Sequence, residues 1–206
     1  MQKIWFKKIV VASTAAVYGN PKYLPIDENH PAEPISPYGL SKLTMEKYLE
    51  LSGLNYMILR FSNVYGERQT ALGEAGVISI FDYAMRNNKD VFIDGDGEQS
   101  RDFIYVKDAA DIVTYLTAIP NNNEIINVST NSLCSINQLF QKMSQIYNYN
   151  KPAIHRIPRI DDIKKSRLDN SKLMAMLNYT NFQKLEKGLQ NLLEHNHKQS
   201  GVIQNA

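Results

Sequence analysis

A tyrosine and a lysine stand four residues apart in Ser36-Pro37-Tyr38-Gly39-Leu40-Ser41-Lys42, at what the pattern reads as the opening of a helix. At i and i+4 they share one helical face, so the ammonium can stand beside the phenol and favour its ionised form. A free tyrosine, with a pKa of about 10, is a poor base near neutrality unless a cation stabilises the phenolate. Tyr38 is therefore a candidate base and Lys42 the cation that tunes it. Such a pair alone is common on helix surfaces, but the setting adds weight. Upstream, Lys8-Ile9-Val10-Val11-Ala12-Ser13 reads as a short buried strand that ends in small residues with two hydroxyls, Ser13 and Thr14. Ligands of doubly wound folds bind beyond the carboxyl ends of the strands, where these hydroxyls fall.

The elements that must hold these groups alternate between strand and helix. Strands are expected at Lys8 to Ser13, Tyr56 to Phe61, Val91 to Ile93, Arg101 to Val106, Ile125 to Val128 and Ala153 to Ile157. Helices are expected near Tyr38 to Ser52, Val77 to Asn87, Lys107 to Ala118, Ile136 to Tyr147, Ser171 to Leu177 and Gln183 to Leu193. Gly53 sits where a C-terminal capping glycine belongs, and Ser135 and Ser171 are placed as N-caps. This is an α/β chain. Pro21, Pro25, Pro31, Pro34 and, just beyond, Pro37 make the stretch before the Tyr38 helix an extended loop that leads from the strand end towards the site. Asp27, Glu28 and His30 lie within it and read as loop residues rather than an acid/base cluster.

The 206 residues, 43% hydrophobic and 21% charged, have the composition of an ordinary globular protein. A net charge of +2 with scattered Lys and Arg forms no basic stripe, so nucleic acid and membrane surfaces are not expected partners. No apolar run is long enough to span a bilayer and Met1 to Lys8 lacks the apolar core of a signal peptide, which makes the cytoplasm the expected compartment. The single cysteine, Cys134, has no partner for an internal disulfide and no histidine cluster beside it, so no metal site is expected.

Four blocks in order carry a resemblance: Ser13-Thr14-Ala15-Ala16-Val17-Tyr18-Gly19, Ser36 to Lys42, Leu59-Arg60-Phe61-Ser62-Asn63-Val64-Tyr65-Gly66, and Gly95-Asp96-Gly97-Glu98-Gln99-Ser100-Arg101-Asp102-Phe103-Ile104-Tyr105-Val106. From about Lys8 to about Gly188 the chain resembles the extended short-chain dehydrogenase/reductases of the NAD-dependent epimerase/dehydratase family, most of all the UDP-glucose 4-epimerase group. The resemblance implies a partial doubly wound, Rossmann-like parallel sheet lacking its first half, with a smaller α/β substrate-binding lobe. Residues 1–150 would be the remainder of the NAD-binding domain interleaved with substrate-lobe segments, and 151–206 mainly the substrate lobe and C-terminal helices. It further implies NAD as cofactor, a UDP-sugar as substrate, and Thr14, Tyr38 and Lys42 as the catalytic triad, with Ser13 the alternative if the register is off by one. Ser13, Tyr38 and Lys42 would touch the cofactor. Arg101 and Arg159 would hold the diphosphate, Asn63 the diphosphate or the sugar, and Asp162 the nucleoside ribose or base, although Asp161 replaces the family's usual glycine. Ser166, a small residue, would leave room for an N-acetyl group at sugar carbon 2. Related dehydratases and decarboxylases place a carboxylate beside the active threonine; here stand Ala15 and Ala16, which can neither give nor take a proton. That favours epimerisation at carbon 4.

The family's opening strand, glycine-rich turn and helix, which hold the cofactor pyrophosphate, have no counterpart in the sequence. Three readings follow: the C-terminal portion of an epimerase, inactive unless its N-terminal half is supplied; an inactive nucleotide-sugar-binding remnant; or another NAD-dependent nucleotide-sugar dehydratase or reductase. An exposed strand edge at Ile9-Val10-Val11, together with the Tyr38 helix that the resemblance makes a dimerisation surface, leads to the expectation of a homodimer, or of pairing with a separate N-terminal fragment.

Overall fold

The computed structural model describes residues 8–71, 75–120, 123–159, 163–177 and 182–203. In chain order the elements are β1 (Ile9–Thr14), a 3-10 turn (Ala15–Tyr18), α1 (Pro37–Leu51), β2 (Tyr56–Phe61), β3 (Asn63–Tyr65), α2 (Val77–Arg86), β4 (Phe92–Asp94), β5 (Ser100–Arg101), β6 (Phe103–Tyr105), α3 (Val106–Ala118), β7 (Glu124–Val128), β8 (Cys134–Ser135), α4 (Ile136–Tyr147), β9 (Ile154–Arg156), β10 (Lys165–Ser166), α5 (Ser171–Met176) and α6 (Leu185–Ile203).

β1, β2 and β7 form a parallel sheet in that order, with Thr14, Phe61 and Val128 in register at the carboxyl ends. Met57, Ile58 and Leu59 of the central strand are all buried, as expected for a parallel sheet covered on both faces. Ile112 and Leu116 of α3, with Leu173 and Leu177 from the α5 region, share a core with this sheet. A second core gathers α2, α4, α6 and the short strands around Phe81, Ile93, Tyr105 and Leu139. There β3 pairs with β6 and β4 with β9, both parallel, while β5 lies between β10 and β8. The architecture is α/β with parallel sheets, as expected.

Local signals place several boundaries. The Ser36 hydroxyl accepts from Gly39 N–H (3.1 Å) with Pro37 at the first helical position, and Gly53, at φ 70°, ends α1 beyond Ser52. Ser135 and Gln138 form a complete capping box at α4. The single strand expected from Arg101 to Val106 is instead broken at Asp102. The Asp102 carboxylate accepts from Thr130 N (3.1 Å), Thr130 Oγ1 (2.7 Å) and Ser132 N (3.2 Å), partners remote in sequence that hold that residue out of the ladder. Ser171 is the first residue of α5 rather than its cap, because Asp169 Oδ1 accepts from Ser171 N (2.8 Å). α6 runs to Ile203, ten residues past the expected end at Leu193, and Asn196 on this extension donates to both Asp82 carboxylate oxygens (3.2 and 3.1 Å).

The start of α1 is pressed against the turn after β1. A Cβ at Gly39 would lie 2.5 Å from Ala16 O and 3.0 Å from Pro34 Cβ, so only glycine permits the approach that brings Tyr38 beside the segment bearing Thr14. Gly39→Ala is expected to destabilise the chain by about 1–3 kcal/mol, the usual penalty of overpacking. Exposed Ser41→Ala should stay within about 0.5 kcal/mol. Urea unfolding of both variants checks this.

Candidate active site

Two elements, β1 and α1, deliver the candidate catalytic groups to the carboxyl end of β1. Thr14 closes the strand, and its Oγ1 accepts from Ala16 N (3.2 Å), an arrangement that keeps its own proton available to donate. Lys42 Nζ donates to Ala12 O (3.0 Å), which docks α1 on the strand, and stands 6.0 Å from the centroid of the Tyr38 ring one turn earlier. Tyr38 is 45% exposed, open to a ligand on the same side. Ser13 points the other way, as strand alternation requires. It is buried, and its hydroxyl donates to Glu46.

Glu46 continues the Tyr38–Lys42 face by another turn, and sequence reasoning gave it no role. It is fully buried, and it also accepts from Arg60 Nε (3.0 Å) and Nη2 (2.6 Å). The Arg60 guanidinium stacks 4.7 Å from the ring centroid of buried Tyr18. Tyr18 donates to Asn127 Oδ1 (2.7 Å), and Asn127 Nδ2 donates to Ile26 O (2.9 Å). Burial works against the charge on Arg60, but the Glu46 bonds hold its proton more tightly than usual. Burial pushes the Tyr18 phenol up to about 12, with Arg60 opposing. The Tyr-x-x-x-Lys-x-x-x-Glu period was the available signal for Glu46; nothing local marked Arg60, on β2, as its partner.

The loop between the turn and α1 is fixed by the residues that resembled an acid/base cluster. His30 Nε2 accepts from Lys22 N (2.9 Å), which leaves Nδ1 to donate to Pro31 O (2.8 Å). Asp27 accepts from Tyr23 Oη (2.8 Å) and Asn29 N (3.0 Å), while Glu28 accepts from Asn127 N (2.8 Å). Each has a separate structural partner.

Asn63 follows the carboxyl end of β2, next to that of β1, and lines a cavity of about 410 Å³ together with Arg101 and Arg159. Three of the four residues expected to bind substrate thus meet in one cavity; Asp162 lies outside the described residues. Arg101 Nη1 donates to Ser100 O (2.9 Å) and Ile163 O (2.5 Å), and Arg159 Nε to Asp94 Oδ2 (2.6 Å). Ile80, Phe81 and Phe92 line an apolar wall, and Arg156, another residue that sequence reasoning missed, joins them.

A parallel α/β sheet with a Tyr/Lys helix docked at a strand-end threonine defines a short-chain dehydrogenase/reductase type of site. Residues 1–129 match the NAD dependent epimerase/dehydratase family, and the chain belongs to it. It is 48% identical over 181 residues to a chain of Methanocaldococcus jannaschii whose naming as a UDP-glucose 4-epimerase is itself provisional, covering 85% of this chain and 59% of that one. It is 32% identical over 193 residues to the UDP-glucose 4-epimerase of Mycolicibacterium smegmatis, covering 91% and 61%. Among solved structures, the UDP-glucose 4-epimerase of Thermotoga maritima with UDP-glucose matches with a TM-score of 0.89 at 38% identity, covering 94% of this chain and 64% of that one. The chain thus spans about three-fifths of the length of these curated relatives.

Removing Glu46 would strand the Arg60 guanidinium in the interior. Glu46→Ala should cost about 3–5 kcal/mol, read as a lower urea midpoint, whereas replacing both residues with apolar ones of like volume should cost much less. A second expectation concerns alkaline pH. The folded Tyr18 phenol binds its proton more tightly than the unfolded one, so its contribution is complete below pH about 10 and is lost as pH rises from there through about 12. Burial also pushes up Tyr65 and Tyr147, which add to the same loss. Denaturant midpoints from pH 8 to 12 should fall, and Tyr18→Phe should make the fall shallower.

Proposed function

We propose that the chain forms the catalytic and nucleotide-sugar-binding part of a UDP-glucose/UDP-galactose-type 4-epimerase. The carrying observation is the Lys42–Ala12 bond, which seats the Tyr38/Lys42 face against the strand whose last residue is Thr14. Tyr38 takes the proton of the sugar 4-hydroxyl and later returns it; Thr14 donates a hydrogen bond to the same oxygen, and Lys42 supplies the cation beside the phenol. NAD, when bound, would accept and give back the hydride of sugar carbon 4. Tyr38 and Lys42 fit the nicotinamide-ribose end of that cofactor because an exposed phenol and an ammonium share one open face. Ser13 contributes there through its backbone, its hydroxyl being committed to Glu46. The sequence carries no glycine-rich strand-turn-helix for the pyrophosphate. Ala15 and Ala16 begin the turn beside Thr14, so no acid or base stands there to eliminate water, and inversion is favoured over dehydration.

Arg101 and Arg159 take the diphosphate, Asn63 donates to it, and Asp162 holds the nucleoside. The Arg159–Asp94 pair is largely exposed on the arginine side and readily exchanged for a phosphate. Ser166 pairs with Arg101 in β10–β5, where a small side chain leaves room for an N-acetyl group. The cofactor part is the β1-β2-β7 sheet with its helices, and the segment from 151 supplies mainly the substrate side.

Leu40, Tyr48 and Leu51 are 57%, 74% and 86% exposed along α1, which supports assembly as a homodimer through that helix. Among the described residues β1 has no strand on its other side, which supports pairing with a separate N-terminal fragment as the other mode. No helix among the described residues is long and apolar enough to cross a membrane, and cytoplasmic action is proposed on that basis together with the sugar-nucleotide substrate. The second reading is a binding module without redox chemistry.

The test supplies the N-terminal half of a relative in cis or trans, with NAD, and follows UDP-galactose conversion. Tyr38→Phe is expected to lower turnover by at least about 100-fold while leaving UDP affinity within about twofold. Substantial turnover in that variant removes Tyr38 from the mechanism. Sugar-nucleotide binding with no turnover under any supply of the missing half establishes the binding-module reading.

A further inference from the structure

Arg156 lies opposite Asp94 in the β4–β9 register, yet Asp94 bonds Arg159 instead. The Arg156 guanidinium is held by a ring: its central carbon stands 3.4 Å from the centroid of Phe92. Among the described residues no acid pairs with Arg156. Stacking occupies a face of the guanidinium and leaves the N–H donors around its edge to point within its plane.

The lining of the cavity that Arg156 and Phe92 share combines two chemistries. Asn63, Gln99, Arg101 and Arg159 supply polar groups, with Asp90 and Asp94 among them, while Ile80, Phe81 and Phe92, from α2 and β4, supply apolar surface. A nucleoside diphosphate combines the same two, a flat base and a charged diphosphate. The stacked pair offers a flat surface and a set of donors together.

We propose that Arg156, oriented by Phe92, reads the nucleobase and selects a pyrimidine with two ring carbonyls, the uracil type, over cytosine. This assignment rests on the cavity being the nucleotide site. A guanidinium offers only donors. Uracil presents a carbonyl oxygen at carbon 4, an acceptor, where cytosine presents an amino group, a donor. Two opposed donors leave both unsatisfied, so cytosine is rejected at that edge. The diphosphate remains with Arg101 and Arg159.

The experiment is calorimetric titration of the full 206-residue chain with UDP, CDP and inorganic pyrophosphate. The chain should bind UDP about tenfold more tightly than CDP, the worth of one charge-assisted hydrogen bond. Arg156→Ala should bring the two within about twofold and leave pyrophosphate affinity unchanged. Phe92→Leu should shift the ratio the same way by a smaller factor, since the guanidinium remains but its plane is released. Both side chains are exposed, so circular dichroism should show native folding of each variant. A UDP/CDP ratio unchanged in Arg156→Ala overturns the proposal and leaves the nucleotide site standing. Pyrophosphate affinity falling as far as UDP affinity makes Arg156 a phosphate ligand and overturns it as well. A folded wild-type chain that binds no UDP overturns the nucleotide reading of the cavity, and this assignment with it.

Discussion

The buried pair of Glu46 and Arg60 is the interaction on which the geometry of the catalytic end depends. Two charges withdrawn from water gain little net stability, because their attraction is largely offset by lost hydration. What this pair provides is position. Glu46 belongs to α1, Arg60 to β2, and the Ser13 hydroxyl that completes the carboxylate's shell to β1. The three elements can be joined this way only in one arrangement, since any slip leaves a buried charge without partners. Lys42 and Tyr38, one and two turns earlier on the same helix, inherit that placement.

Asp102 has a comparable part beside the cavity that Arg101 lines. Burial pushes its carboxyl above the ordinary range, against the bonds it accepts from Thr130 and Ser132. Its backbone carbonyl accepts from Asn63 N (2.9 Å), so one residue ties the segment after β2 to the segment after β7 and sits directly beside Arg101. Interrupting the strand at Asp102 is thus the local consequence of organising the cavity mouth.

The two groups of functional residues differ in how firmly they are held. The network behind Tyr38 is buried and joined by several mutual hydrogen bonds, which hold its members in place. In the cavity, Arg159 is 73% exposed in its side chain and bonds Asp94 directly at the surface, an interaction worth at most about 1 kcal/mol. The candidate catalytic residues thus rest on a buried network, whereas the candidate anion ligands sit nearer the surface.

The sequence by itself determined the elements whose signals are local. β2 and α4 fall where apolar runs and the Ser135–Gln138 capping box put them, and the shared face of Tyr38 and Lys42 follows from helical geometry alone. Asn63, Arg101 and Arg159 could each be singled out by family blocks, but their meeting in one cavity depends on β4 pairing with β9 some sixty residues later. Tertiary structure alone decided how the two strand-end hydroxyls part: Ser13 is drawn in by Glu46, and alternation along the strand sends Thr14 to the other side. It alone broke the strand at Asp102 and set Arg156 on Phe92. The physical reason is common to these cases. Caps and periodic faces are contacts within a few residues and are written in the local sequence, whereas buried charges and stacked guanidinium groups take their partners from distant segments that only the folded chain brings together.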